Sequence, residues 1–103
     1  MSTQDKIKKM LQDNDVVLFM KGTPMFPQCG FSAQVVAIFQ EYNLEYLPVN
    51  VLADQDIREG IKVYGNWPTI PQLYVKDELI GGCDIITSLH EQNQLASVLG
   101  MEL

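Results

Sequence analysis

Cysteine and histidine are scarce in this chain, whose 103 residues carry two Cys and one His. Two thiols are too few for a disulfide framework, and with a single imidazole they cannot complete a four-ligand zinc or iron–sulfur site within one chain. Basic charge is scarce too. Lys and Arg number 7 against 13 Asp and Glu, a formal net charge of -6, and they form no stripe, so no nucleic-acid partner is expected. No apolar run approaches the ~18 residues of a membrane span, and Met1 to Met10 lacks the apolar centre of a signal peptide. Repeats, low-complexity segments and linkers are also missing. These absences point to a protein of a reducing compartment with neither a membrane nor a nucleic-acid partner. An anionic small ligand would have to be held by a few local donors.

What is present suits one globular domain spanning residues 1–103: the chain is 47% apolar and 19% charged, long enough for a core without staples and too short for two. Helix and strand alternate. Ser2 or Thr3 can cap a helix whose apolar face is Ile7, Met10 and Leu11, with Asn14 as its stop. Val16 to Met20 is continuously apolar, the signature of a strand covered on both faces, and implies a parallel or mixed central sheet. From Cys29 to about Tyr42 the residues Phe31, Val35, Ile38, Phe39 and Tyr42 recur with helical period, and Tyr46 to Val51 reads as a second strand. That strand–helix–strand unit would be right-handed.

Asp54 to Tyr64 is a further helix with Ile57, Ile61 and Tyr64 on one face, weakened by Gly60. Gln72 to Val75 and Leu79 to Ile80 are spaced as an antiparallel edge hairpin, although Lys76-Asp77-Glu78 lacks the usual turn glycine. Gly81-Gly82 breaks the strand. Cys83-Asp84 opens a helix through Ile85, Ile86 and Leu89, and Leu95, Val98 and Leu99 form a short last one.

The chain is organised around KGTPMFPQCGFSAQ, Lys21 to Gln34, with Cys29 at the point where loop hands over to helix. Free amides at a helix start favour a thiolate over a thiol, and Lys21 adds a cation the fold could bring near. The bland alternative is a small buried residue. A Cys-x-x-Cys here would be a dithiol redox motif, but the second position is Ser32, so a redox cycle must be finished by an outside thiol or by distant Cys83. Ser32 itself reads as a first-turn hydroxyl without a chemical role, and His90 as an exposed helix residue. A soft-metal site would need two chains, each giving Cys29, and two further thiolates from elsewhere.

Two other segments have ligand-holding chemistry. Ile70-Pro71 is a candidate cis peptide that would leave the Ile70 backbone free to pair with an extended ligand, against a rigid trans turn. Gly81-Gly82-Cys83-Asp84 brings a helix N-terminus close to any ligand, with Asp84 either accepting from an ammonium or serving only as a helix cap.

Taken in order, KGTP, Pro27, CGFS, WPTIPQLYV and IGGCDI resemble the monothiol glutaredoxin family, over nearly the whole chain. The resemblance implies an α/β thioredoxin-like fold, a central mixed four-stranded sheet flanked by helices. It implies glutathione binding and a [2Fe-2S] cluster bridging two protomers, each giving one cysteine beside two glutathione thiols. By position, Cys29 is then the thiolate and cluster ligand. Lys21 and Arg58 hold the glycine carboxylate of glutathione, Ile70 pairs with the tripeptide ahead of a cis Pro71, and Cys83 with Asp84 receives the γ-glutamyl end. Thr23 to Pro27 is the loop that distinguishes the family from dithiol glutaredoxins. The function implied is cluster storage and transfer to iron–sulfur acceptor proteins, with BolA-family proteins as further partners, a cluster-dependent homodimer and a mostly monomeric apo form. The alternative is glutathione-dependent reduction of glutathionylated proteins through Cys29. A bacterial cytoplasm, or an organelle matrix for a processed form, is the expected location.

Overall fold

The computed structural model describes residues 1–101. Nine elements follow one another: α1 (Thr3–Asp13), β1 (Val16–Met20), α2 (Gly30–Gln40), β2 (Leu47–Asn50), α3 (Gln55–Tyr64), β3 (Gln72–Val75), β4 (Glu78–Gly81), α4 (Cys83–Glu91) and α5 (Leu95–Val98). The strands form one mixed sheet in the order β2-β1-β3-β4. β1 pairs with β2 in parallel and with β3 antiparallel, and β3 pairs with β4 antiparallel.

All five residues of β1 are buried because helices cover both sides of the sheet. Val16, Leu18 and Met20 turn to one face, where Val35, Ile38 and Phe39 of α2 and Ile86 of α4 complete the core. Val17 and Phe19 turn to the other, against Ile7 and Leu11 of α1 and Ile57 and Ile61 of α3. Each such side chain contributes about 1.5–3 kcal/mol of transfer free energy, so the strand that leads into Lys21 is anchored from both sides.

Local chemistry accounts for the element ends. Ser2 caps α1 in a capping box: its hydroxyl oxygen accepts from the Asp5 amide at 3.1 Å and its own amide donates to the Asp5 carboxylate at 3.3 Å. Asp54 caps α3 by accepting from the Asp56 and Ile57 amides. Gly60 is there for contact rather than tolerated as a weakness. A methyl group at that position would lie 2.6 Å from Thr3 Cγ2 and 3.1 Å from Ile7 Cδ1, so the glycine lets α1 lie directly on α3.

Four expectations are corrected. α2 stops at Gln40, two residues before Tyr42, because the chain turns through Asn43 at φ 51°. Phe31 does not join the core face: it sits in the first turn of α2, ahead of the sheet contact, and is 61% exposed. The second strand is Leu47–Asn50 rather than Tyr46 to Val51. The hairpin lies at one edge of the sheet with β3 and β4 antiparallel, as expected, but β4 already starts at Glu78, so the turn is Lys76-Asp77 alone, both at positive φ (50° and 64°), a two-residue turn made without glycine.

Candidate functional site

β1 delivers Lys21 to the rim of a cavity of about 480 Å³, a size suited to a small peptide-like ligand. After Lys21 the backbone makes a tight excursion. Gly22 takes φ 90° and bridges to Pro27, Thr23 and Phe26 exchange backbone hydrogen bonds, and the Gln28 amide donates to the Lys21 carbonyl at 2.9 Å. A side chain on Gly22 would run into the Phe26 carbonyl oxygen, 2.5 Å from where its Cβ would lie. The Asn50 side chain fixes the loop from the end of β2, its carbonyl oxygen accepting from the Gly22 and Leu52 amides. The loop leaves Met25 and Phe26 exposed.

Cys29 is the N-cap of α2, partly exposed, in extended backbone. Its sulfur forms no capping hydrogen bond of normal geometry, so the helix amides act on it through their field. The Ser32 amide is the chief influence holding the thiol below its ordinary range, against the opposing pull of burial, and the Phe31 amide, the Lys21 charge and the Ser32 hydroxyl add to it. Ser32 therefore has a part that sequence reasoning denied it. It is fully buried, and its oxygen accepts from the Lys21 amide at 3.1 Å, tying the end of β1 to the first turn of α2.

Lys21, Cys29, Arg58, Ile70, Cys83 and Asp84 all line this one cavity. The Ile70–Pro71 peptide is cis. Gly82 is the N-cap of α4, which leaves Asp84 exposed in the first turn without a capping bond, so the helix-cap alternative is set aside. Cys83 is buried, and burial, with the nearby Asp84 and Cys29 charges, pushes its thiol up despite a 4.0 Å contact with the Thr87 hydroxyl.

Lys62, one helical turn beyond Arg58, joins the lining, a spacing that was readable as a shared helix face. Three of the 7 Lys and Arg residues thus converge on one cavity in an acidic protein. Trp67, Pro68 and Thr69 form another wall. Behind it, fully buried Gln72 donates to the Trp67 carbonyl at 2.9 Å and the Thr69 carbonyl at 3.1 Å, and accepts from the Tyr74 hydroxyl at 2.9 Å. His90 lies away from the cavity. It is half-buried rather than exposed, with Nδ1 2.6 Å from the Tyr42 hydroxyl and Nε2 3.4 Å from Glu41.

The sequence profile of the glutaredoxin family matches residues 16–80. Glutaredoxin 4 of Pasteurella multocida is 46% identical over 99 residues, which is 96% of this chain and 91% of that protein. Monothiol glutaredoxin-S11 of Oryza sativa is 46% identical over 98 residues, 95% of this chain, which spans only 20% of the rice protein's length. The solution structure of reduced poplar apo GrxS14 superposes with a TM-score of 0.81 at 42% identity, covering 94% of this chain and 89% of that one.

Proposed function

The chain belongs to the glutaredoxin family, in its monothiol branch and with its thioredoxin-like fold, and from that premise we propose that it binds glutathione and carries a [2Fe-2S] cluster shared by two protomers. The observation that carries the reading is the state of Cys29: a partly exposed sulfur at a helix start, held below the ordinary thiol range, with buried Ser32 where a resolving thiol would stand. A soft thiolate of this kind suits iron–sulfur ligation.

The donor set fits one ligand position per chain. Among the described residues no three His, Cys, Asp or Glu side chains gather as a metal site, and Cys83 is buried with its thiol pushed up. The chain therefore offers Cys29, and the other thiolates come from a second protomer and two glutathione molecules. Lys21 and Arg58, joined by Lys62, take the glycine carboxylate of glutathione; the Ile70 backbone pairs with the peptide; Cys83 and Asp84 receive the γ-glutamyl end. Exposed Met25, Phe26 and Phe31 provide an apolar surface for the second protomer or for an acceptor protein, with BolA-family proteins as further partners. Ligation that depends partly on exchangeable glutathione releases its cargo readily, which suits a carrier working in a bacterial cytoplasm or an organelle matrix. The dimer forms with the cargo, and the apo protein is mostly monomeric.

Anaerobic reconstitution with and without glutathione, followed by visible absorption and sizing, tests this reading. Colour and dimerisation should require glutathione and Cys29 and survive Cys83→Ser. Colourless wild type would sink it.

The lowered thiol range of Cys29 also supports deglutathionylation as a second reading. The thiolate attacks the glutathione sulfur of a protein mixed disulfide and releases the protein thiolate. A second glutathione thiolate then displaces Cys29, leaving oxidised glutathione.

A further inference from the structure

Two buried side-chain donors lack a hydrogen-bond partner among the described residues, Arg58 Nε and Trp67 Nε1, and both belong to residues that line the cavity around Cys29. Buried N–H groups are normally paired, so two orphans in one lining point to acceptors brought by a ligand. Arg58 already has an anion-binding role in the proposed function; Trp67 has none. Its position is set firmly. The Trp67 amide donates to the Lys62 carbonyl at 3.0 Å, its carbonyl accepts from buried Gln72, and Gln72 is fixed in turn by Tyr74. The indole nitrogen stands over Gly82, where an added Cβ would lie 3.5 Å from Nε1 and 3.2 Å from the Pro71 carbonyl oxygen. Gly82 thus keeps open the space between the indole and the start of α4, whose N-cap makes no side-chain capping bond.

We infer that the Trp67 indole N–H is a ligand donor, hydrogen-bonding the α-carboxylate at the γ-glutamyl end of the bound tripeptide beside the first amides of α4. Asp84, in the first turn of α4, takes the neighbouring ammonium, so the zwitterionic end is read by one donor and one acceptor of the same cavity. The inference rests on the glutathione reading above and deepens it.

Trp67 is the only tryptophan, so a single indole proton reports the contact in a proton–nitrogen correlation spectrum. The probe is S-methylglutathione, which binds without thiol exchange. Saturation should move the indole proton downfield in wild type. Trp67→Phe, which keeps a ring and removes the donor, should weaken binding by about tenfold or more, the effect of losing one hydrogen bond to a charged group, with its circular dichroism unchanged. The S-methylated 4-aminobutyryl analogue, lacking only the α-carboxylate, should bind wild type and Trp67→Phe equally. An unmoved indole proton at saturation, equal affinity of the two proteins for S-methylglutathione, or an undiminished penalty with the analogue overturns the inference and leaves glutathione binding intact. Failure of wild type to bind S-methylglutathione at all overturns the glutathione reading as well, and so separates the two failures.

Discussion

Cys29 caps α2 and Cys83 begins α4, and both line the same cavity, yet the first thiol is held below its ordinary range and the second is pushed above it. Position at a helix start does not by itself make a thiolate. Cys29 has the Ser32 and Phe31 amides and the Lys21 charge acting on a partly exposed sulfur, whereas Cys83 is 8% exposed and faces Asp84 and Cys29. The division follows from access to water and from the sign of the neighbouring charge.

The largest test of this contrast is covalent. Incubated with oxidised glutathione and examined by intact mass, wild type and Cys83→Ser should acquire one glutathione, and Cys29→Ser none. An adduct on Cys83 in the native protein would erase the distinction.

A second test separates the shared wall from the thiol chemistry. Gln72→Met strands the Tyr74 hydroxyl and the Trp67 and Thr69 carbonyls, and should cost about 1–3 kcal/mol in urea unfolding, while alkylation of Cys29 at neutral pH stays within a few-fold of wild type.

Alkaline stability offers a third. The native pKa of Cys29 lies below its unfolded value, so its contribution is present above the unfolded value and is lost as pH falls through the native one. Cys83 is the reverse: its contribution is present below the unfolded value and fades as pH rises toward the native one. Tyr64, through its hydrogen bond to Asp77, and Tyr74, through burial, are pushed up to about 12, and unfolded tyrosines ionise only near about 10. Between about pH 7.5 and 9 the thiols therefore dominate the thiol and phenol contribution to the slope. Cys29→Ser should make stability fall more steeply over that range in urea titrations, and Cys83→Ser should flatten it.

The smallest effect is expected from Ser32→Ala, which leaves the Lys21 amide without its acceptor and removes one lowering influence on Cys29. Stability should drop by about 1 kcal/mol, and the pH midpoint for iodoacetamide alkylation of Cys29 should rise while that of Cys83 stays put.

Much of this frame was legible in the residues. The five apolar letters of β1 matched its bounds because a strand covered on both faces carries its burial in every position, and Gln72–Val75 was bounded by the proline before it and the turn after it. The six residues carried over by resemblance converge on one cavity. What escaped depended on distances between segments far apart in sequence. Gly60 looked like a helix weakness because its neighbour is Thr3. Phe31 kept helical period with Val35 and Phe39, but periodicity does not say where along a helix the sheet begins. Ser32 looked idle because its partner is the Lys21 amide, and Gln72, in an otherwise apolar strand, gave no sign that its amide reaches back to the Trp67 loop.

Gly60 also matters for how the protein is handled. With no side chain at Gly60, α1 acts as a splint strapped along the helix that carries Arg58 and Lys62. An affinity handle is therefore best joined so that it leaves Thr3 and Ile7 free to pack on that helix at Gly60.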